Sequence, residues 1–333
     1  MNNKNILFII VFIMCAVSLI LGVLTPIKTK YKEVSAEKNP SGINKIISAN
    51  NNKIAIIQLS GVINSTSETN FLTEENSSMK ALSLLSEVEQ DNNVKGVILE
   101  INSPGGTVGM SQRLYNTVMK LRQKKPVIAV MDDVAASGGY YVASACDRIF
   151  AYPGTMTGSI GVIMSAMDFH KLLSEKLAIN ENVIKSGKFK DIGSSSRAMT
   201  NEERQLLQDI VMDSYAQFKT AIIDGRVKRC DKYQTPMVEL KEDVLNKFAD
   251  GRVFTGKQAL KLGFVDSTDG MDGAKDMIKK VAKTKGISDV NFVEYSKNSL
   301  FYDIFSVNKQ QNSFMNFVPE SVKYGRKPLY LWE

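Results

Sequence analysis

The amino-acid sequence predicts an α/β protein with a mostly parallel sheet and an N-terminal transmembrane helix. From Lys53 onward, short apolar stretches rich in β-branched residues alternate with stretches whose apolar residues recur at helical spacing. Glycine-rich turns follow two of the apolar stretches, and an uncharged run of 19 residues precedes them all. Alternating strands and amphipathic helices are typical of a parallel sheet covered by helices.

The first predicted element is the uncharged run at residues 6–24, ILFIIVFIMCAVSLILGVL. A helix needs about 20 apolar residues to cross a bilayer, so we interpret this run as a single-pass anchor within residues 1–27. A cleaved signal peptide would have a shorter apolar core, about 7–15 residues, and a small-residue cleavage site. A buried soluble helix is the other alternative. The polar residues 28–52 are then a tether between the membrane and the folded domain.

The lysines beside this run bear on its orientation. Lys28, Lys30 and Lys32 follow the run, whereas only Lys4 and the amino terminus precede it. By the positive-inside rule, this distribution argues weakly against a domain outside the cytoplasm.

The composition is that of a globular protein, with 44% hydrophobic and 23% charged residues. The formal net charge is +7, but no cluster of lysines and arginines is interleaved with aromatic residues, so we expect no nucleic-acid partner. The three cysteines lie far apart and predict neither a disulfide framework nor a metal site. We expect no cofactor.

The remaining elements follow one another along a domain that we assign to residues 53–295. Strands are predicted at 53–63, 94–101, 126–132, 148–153, 157–165 and 181–187, and helices at 79–90, 110–123, 140–146 and 171–179. A capping box of Thr200 with Glu203 predicts a further helix that runs to about Arg229. Residues 296–333 are predicted to form an irregular, aromatic tail.

Two glycine-rich turns, NSPGG at 102–106 and AASGG at 135–139, fall at the carboxyl ends of predicted strands. In a parallel sheet these ends gather on one edge, where ligands bind. Ser137 then lies between a strand and a helix, where the amides of the first helical turn favour a developing oxyanion. Capping the helix is the commoner role of a serine at such a position.

A nucleophilic serine needs a base, and the chain contains one histidine, His170. Lysine is the alternative base, and the candidates are Lys185, Lys188 and Lys190 in the stretch IKSGKFKDIG. At the ordinary pKa of the lysine side chain only about one amine in a few thousand is neutral at pH 7, so a lysine base requires an apolar environment. Composition does not separate the three lysines, and a solvated surface charge is the ordinary role of each.

Five motifs together resemble the signal peptide peptidase A family in its short Gram-positive-type form. They are INSPGGTV, AASGGYYVASACDRIFA, TGSIGVI, SGKFKDIGSSSRAMTNEER and DGRVFTGKQALKLGFVD. The resemblance covers roughly residues 53–281. It implies the crotonase/Clp-protease superfamily fold, in which ββα units repeat around a mostly parallel sheet, and it implies catalysis by a serine–lysine dyad.

Carried over to this sequence, the resemblance makes Ser137 the nucleophile and Lys190 the general base. Ser159 in TGSIG is then the hydroxyl that holds the lysine amine in place. The backbone N–H groups of Gly106 and Gly138 form the oxyanion hole. On residue type alone, the glycines could equally serve only to permit tight turns, and Ser159 could cap a strand end.

The same resemblance implies a membrane-anchored serine endopeptidase that degrades cleaved signal peptides on the extracytoplasmic side. It also implies a homo-oligomer, an octamer in the short type, and we expect one chain to contribute both Ser137 and Lys190. A crotonase-type acyl-CoA enzyme and a catalytically silent membrane scaffold are the alternatives.

The tail adds one hypothesis. Its last residues, KPLYLWE at 327–333, are extended and aromatic in character. We hypothesise that this terminus enters an active-site groove, of its own chain or of a neighbour, as a product-like peptide.

Overall fold

The computed structural model describes residues 52–66, 77–228, 238–295 and 329–331. The strands are β1 (Lys53–Ser60), β2 (Val94–Ser103), β3 (Gly105–Thr107), β4 (Val127–Ala136), β5 (Arg148–Phe150), β6 (Met156–Gly158), β7 (Val253–Thr255), β8 (Asn291–Glu294) and β9 (Leu329–Leu331). The helices are α1 (Ser77–Gln90), α2 (Val108–Lys124), α3 (Gly138–Ser144), α4 (Asn201–Ile222), α5 (Glu242–Phe248), α6 (Gly256–Leu262) and α7 (Gly270–Thr284).

Seven of these strands form one sheet, and its order is β7-β6-β4-β2-β1-β8, with β5 paired to β4 beside this path. Every pairing in the sheet is parallel except that of β6 with β7. Strands β3 and β9 form a separate antiparallel pair. The predicted mixed α/β fold with a mostly parallel sheet is therefore confirmed.

The three longest strands carry the core because helices cover both faces of the sheet. Ile57, Leu99 and Ala129 are fully buried on the side that packs against α1, α2 and α3. On the opposite side, α7 buries Ile278 in a smaller cluster with Ile98. Each fully buried aliphatic side chain stabilises the fold by about 1.5–3 kcal/mol, which makes the central strands a rigid base for the turns that follow them.

Two strand predictions were wrong. The strand predicted at 157–165 ends at Gly158, where the backbone turns left-handed over two residues, with φ of 86° at Gly158 and 50° at Ser159. The strand predicted at 181–187 is a surface loop, in which Ile184 is 101% exposed. Among the described residues, its β-branched side chains have no neighbouring strand with which to pair, so local propensity does not produce a strand.

The predicted helices are otherwise close to those observed. The capping box at Thr200 is present, and α4 continues into a π-helical turn at Ile223–Val227. The helix predicted at 171–179 is reduced to a π-helical turn at Leu172–Lys176.

Within the described parts of the chain, no helix combines the length and the hydropathy that crossing a bilayer requires. The predicted anchor at residues 6–24 and most of the predicted tether lie outside the described residues.

Candidate active site

Ser137 and Ser159 leave the sheet side by side. Ala136 at the end of β4 is the register partner of Gly158 at the end of β6, and these strands are parallel. The N–H of Ser137 donates a hydrogen bond of 2.8 Å to the carbonyl of Gly158. The structure therefore brings these two predicted site residues together at the carboxyl edge of the sheet.

Ser137 has an unusual conformation for a serine. Its φ of 51° and ψ of −113° lie in a region that residues with a side chain rarely adopt. The side chain is fully buried, and Oγ has no hydrogen-bond partner among the described residues. Backbone strain of this kind costs about 1–3 kcal/mol, and an unpaired buried hydroxyl costs a similar amount. The fold thus maintains an energetically costly serine at this position.

The two glycine-rich turns meet at this edge. A Cβ on Gly139 would lie 2.9 Å from the carbonyl oxygen of Ser103, so α3 packs directly on the end of β2. The buried hydroxyl of Ser103 accepts a hydrogen bond of 3.1 Å from the N–H of Gly105 and fixes the turn. Gly138 is the first residue of α3. The role of Ser103 was not predicted from the sequence, although a serine before Pro-Gly-Gly is a recognisable turn signal.

Gly106 lies in β3, where the backbone of another segment leaves no room for a side chain. A Cβ at this position would lie 2.0 Å from the carbonyl oxygen of Ile63. The backbone of Ile63 bonds to both neighbours of Gly106, with distances of 2.7 Å from its N–H to the Gly105 carbonyl and 2.7 Å from the Thr107 N–H to its carbonyl. This close approach requires glycine whether or not Gly106 also serves catalysis.

The C-terminal strand β9 pairs with this same segment. Leu331, Tyr330 and Leu329 are the antiparallel register partners of Gly105, Gly106 and Thr107, respectively. The pairing agrees with the hypothesis that the terminus can occupy a groove beside the two glycine-rich turns. An extended peptide thus fits the edge of β3 in backbone geometry.

The three candidate lysines differ in their ionic partners. Lys185 Nζ lies 2.6 Å from Asp191 Oδ1, and Lys188 forms an ion pair with Glu202. Lys190 is exposed and makes no ion pair with a described carboxylate. A carboxylate partner stabilises the charged amine, which cannot accept a proton. The structure therefore separates lysines that the sequence alone could not.

His170 pairs with Asp168 and not with Ser137, the residue to which a histidine base would have to hydrogen-bond. Its Nδ1 lies 2.5 Å from Asp168 Oδ1, on the same surface segment. Hydrogen bonds from the backbone and side chain of His170 lower the pKa of Asp168. Because Ser137 Oγ has no hydrogen-bond partner among the described residues, His170 does not hydrogen-bond to it.

The expectation that one chain contributes both Ser137 and Lys190 stays a prediction, because no hydrogen bond joins the two side chains among the described residues. Ser137 Oγ is buried without a partner, and Lys190 projects from an exposed turn. The predicted nucleophile and the predicted base therefore do not hydrogen-bond to each other within the single chain.

A charged cluster beside Lys190 was missed by the sequence analysis. The Arg197 guanidinium donates to both carboxylate oxygens of Asp191, with distances of 2.8 Å from Nε to Oδ2 and 2.8 Å from Nη2 to Oδ1. The same guanidinium bonds to Glu203 at 2.9 Å between Nη1 and Oε2. These hydrogen bonds lower the pKa of Asp191 and bring that of Glu203 down to about 2.

Comparison with known proteins identifies the family of this chain. The model of peptidase family S49 matches residues 119–287, which include Ser137, Ser159 and Lys190. A protein of Enterococcus faecium that is provisionally named signal peptide peptidase SppA is 33% identical over 314 residues, covering 90% of this chain and 86% of that protein.

Two further relatives extend the comparison to other organisms. The chloroplastic serine protease SPPA of Arabidopsis thaliana is 32% identical over 79% of this chain and 38% of its own length. Protease 4 of Salmonella typhi is 32% identical over 59% of this chain and 29% of its own length. With a family match over half of its length and a near full-length relative, this chain belongs to peptidase family S49 and is a serine peptidase.

Proposed function

We propose that this chain is a membrane-anchored serine endopeptidase that degrades residual signal peptides and other apolar peptides through a Ser137–Lys190 dyad. The observation that carries the proposal is the state of Ser137. It is a buried serine with a left-handed backbone, and its hydroxyl has no partner in the described chain. Strained residues of this kind concentrate at active sites.

In the proposed mechanism, Ser137 Oγ attacks the carbonyl carbon of the scissile peptide bond. Lys190 Nζ takes the hydroxyl proton as the O–C bond forms and passes it to the leaving amine as the C–N bond breaks. After the leaving amine departs, Lys190 Nζ takes a proton from the water that attacks the acyl-enzyme ester. It returns this proton to Ser137 Oγ as the bond from that oxygen to the acyl carbon breaks. The N–H groups of Gly106 and Gly138 stabilise the oxyanion, and one such donor is typically worth about 3–4 kcal/mol.

Ser159 is the residue proposed to orient the amine. Ser159 follows Gly158, whose carbonyl accepts a hydrogen bond from the N–H of Ser137. The N–H of Ser159 donates a hydrogen bond of 2.8 Å to the carbonyl of Arg252. This bond and its φ of 50° fix the backbone on which the hydroxyl is carried. We propose that a lysine that reaches Ser137 also meets the Ser159 hydroxyl, since the two serines follow paired strands.

The partner that completes the site is proposed to be a second copy of this chain. Large apolar side chains that are more than a third exposed concentrate on the segment that leads to Lys190 and on α4. They are Ile163, Met167, Phe169, Leu172, Leu177, Ile179, Val183 and Ile184, with Leu206, Ile210 and Met212 on α4. Such a surface favours burial against another protein. We propose that a copy seated here presents its own Ser137 to Lys190, and a ring of eight copies is the assembly that the resemblance implies.

The proposed substrates are extended apolar peptides. The backbone pairing of Leu329–Leu331 with β3 supports a binding mode in which a peptide adds an antiparallel strand next to Gly106. Cleaved signal peptides are apolar and lie in the membrane. The name of the Enterococcus faecium relative, signal peptide peptidase, also favours this substrate class.

The proposed location is the cell membrane, with residues 6–24 as a single-pass anchor and the peptidase domain on the extracytoplasmic side. The anchor proposal depends on 19 consecutive uncharged residues. The extracytoplasmic orientation depends on the resemblance, and Lys28, Lys30 and Lys32 argue weakly against it.

The test is hydrolysis of apolar peptides by the purified full-length protein in detergent. Ser137→Ala and Lys190→Ala are each expected to lose at least about 99.9% of kcat/KM, since the members of a catalytic unit fail together. Lys188→Ala is the matched control, two residues away and exposed, and is expected to keep the wild-type rate. Wild-type activity in Lys190→Ala would overturn the proposed dyad, and an inactive wild-type protein would favour a silent scaffold.

A further inference from the structure

The charged cluster beside Lys190 contains four side chains whose formal charges sum to zero. Asp191 and Glu203 supply two negative charges, and Arg197 and Lys185 supply two positive charges. Lys190 immediately precedes Asp191 in the sequence. It is outside the cluster, because it makes no ion pair with a described carboxylate.

Both oxygens of Asp191 are occupied. Oδ2 accepts a hydrogen bond from Arg197 Nε, and Oδ1 accepts from Arg197 Nη2 and, at 2.6 Å, from Lys185 Nζ. A bidentate arginine–carboxylate pair is among the strongest ionic arrangements in proteins, and its planar geometry fixes the direction of the carboxylate. The Asp191 side chain is only 12% exposed, so little solvent competes for it.

The guanidinium is itself anchored to α4. Glu203 lies in the first turn of this helix, its side chain is 3% exposed, and it also accepts a bond of 2.9 Å from the backbone N–H of Thr200. Arg197 therefore bridges the turn that carries Lys190 to the fixed start of a 22-residue helix. Asp191 is held on the side of the turn that faces Arg197.

We propose that Arg197 is a positioning residue for the peptidase reaction, and that it acts by keeping the Asp191 carboxylate from pairing with the neighbouring amine of Lys190. This inference rests on the proposed role of Lys190 as general base. A free carboxylate next to that amine would stabilise its protonated form, which cannot take the proton of Ser137. With Arg197 in place, the charge that would oppose catalysis is already neutralised.

Several other charged groups belong to the same environment and bear on any pH effect. They are Lys185 and Lys188 on the segment of Lys190, Glu181 through Ser196, Asp168 and His170 on the segment that bonds to Ser195, and Glu202 and Glu203 on α4. Lys188 and Glu202 pair with each other, as do His170 and Asp168. Asp191 is thus the carboxylate closest in sequence to Lys190, and loss of Arg197 would remove two of its three side-chain hydrogen bonds and leave the one from Lys185.

The test is the pH profile of kcat/KM for peptide hydrolysis at low ionic strength. With a lysine base, activity rises along an alkaline limb whose position does not depend on the amount of active enzyme. Arg197→Gln is expected to move this limb to higher pH by about one unit, the lower end of the range for an adjacent opposite charge. Asp191→Asn in the Arg197→Gln background is expected to return the limb to the wild-type position, and Arg197→Lys is expected to remain near it.

The double variant separates this inference from a merely structural role. A uniform loss of activity in Arg197→Gln, with an unmoved limb and no rescue by Asp191→Asn, would overturn it. Where Arg197→Gln does not fold, Lys185→Gln takes its place, since it removes the other cation on Asp191 and is expected to give a smaller alkaline displacement. An unmoved limb in that variant would equally refute the inference. Retained activity in Lys190→Ala would instead refute the proposed function itself.

Discussion

The N–H of Ser137 bonds to the carbonyl of Gly158 at 2.8 Å, and this bond ties the end of β4 to the end of β6. Each strand is followed at once by a serine with positive φ, Ser137 at 51° and Ser159 at 50°. Two strained serines on neighbouring parallel strands indicate that the sheet edge is built for chemistry, because strain of this kind persists only where the surrounding structure enforces it.

The unpaired hydroxyl of Ser137 is predicted to lower the free energy of unfolding of the folded protein. Ser137→Ala removes a buried Oγ without a described partner, so we expect the melting temperature to be unchanged or higher. Ser144→Ala, in the helix that follows Ser137, is the matched control, since the buried hydroxyl of Ser144 donates to the Tyr141 carbonyl at 2.7 Å. That variant is expected to lose about 1 kcal/mol, measured by thermal or denaturant unfolding. A clear loss of stability in Ser137→Ala would contradict this reading of the site.

The close approach at Gly106 predicts a severe effect of one methyl group. Gly106→Ala would place a Cβ 2.0 Å from the Ile63 carbonyl oxygen, so the strand and the proposed oxyanion hole must shift. We expect a loss of about 3 kcal/mol or more in unfolding free energy, together with loss of peptidase activity. Gly109→Ala lies three residues on, and apart from the backbone of its own helix and its chain neighbours no atom lies within 4 Å of the new Cβ, so it is expected to be neutral or to stabilise by up to about 1 kcal/mol. Equal stability of both variants would refute the role assigned to Gly106.

The pairing of β9 with β3 predicts that the C-terminus competes with substrate. Deletion of residues 329–333 removes the strand from Gly105–Thr107, and we expect KM for extended peptides to fall. Mass spectrometry of active protein beside Ser137→Ala tests the related hypothesis of self-processing. Shortening of the active protein alone supports that hypothesis, whereas identical intact C-termini in both argue against it.

The cluster at Arg197 predicts a defined response to acid. The pKa of Glu203 is lowered from 4.5 to about 2, chiefly by its bond to Arg197, so the stabilisation is present in full above pH 4.5 and is lost as the pH falls toward 2. The melting temperature of Arg197→Gln should therefore lie below that of the wild type at pH 7, and the difference should shrink as the pH falls from 4.5 toward 2. Lys279→Gln removes an exposed ion pair in which Lys279 Nζ lies 3.8 Å from Asp276 Oδ1, and its melting temperature should match that of the wild type at every pH. A gap that does not depend on pH would exclude this origin.

Sequence pattern predicted the central sheet well because its strands are local apolar runs. The stretch 94–101 reads as a buried strand and is one, since both faces of β2 are covered. The stretch 181–187 has similar β-branched residues but is an exposed loop. Pairing in a sheet depends on a neighbour elsewhere in the chain, and local propensity contains no information about that neighbour.

The candidate site was predictable only in part for the same reason. The glycine-rich turns indicated Ser137 from the sequence, because turn chemistry is local. The choice among Lys185, Lys188 and Lys190 depended on ion pairs that form after folding. Arg197 gave no periodic signal, since the residues that it joins are brought together by a loop and a helix start rather than by regular spacing.

The most direct test of the central claim, that Ser137 and Lys190 of neighbouring copies form one dyad, is co-expression of the two inactive variants. Assemblies purified through different tags on the Ser137→Ala and Lys190→Ala chains should recover about a quarter of the wild-type turnover, because a random head-to-tail ring restores an intact pair at about one interface in four. Mixed assemblies as inactive as the single variants, or a fully active Lys190→Ala protein, would contradict the account.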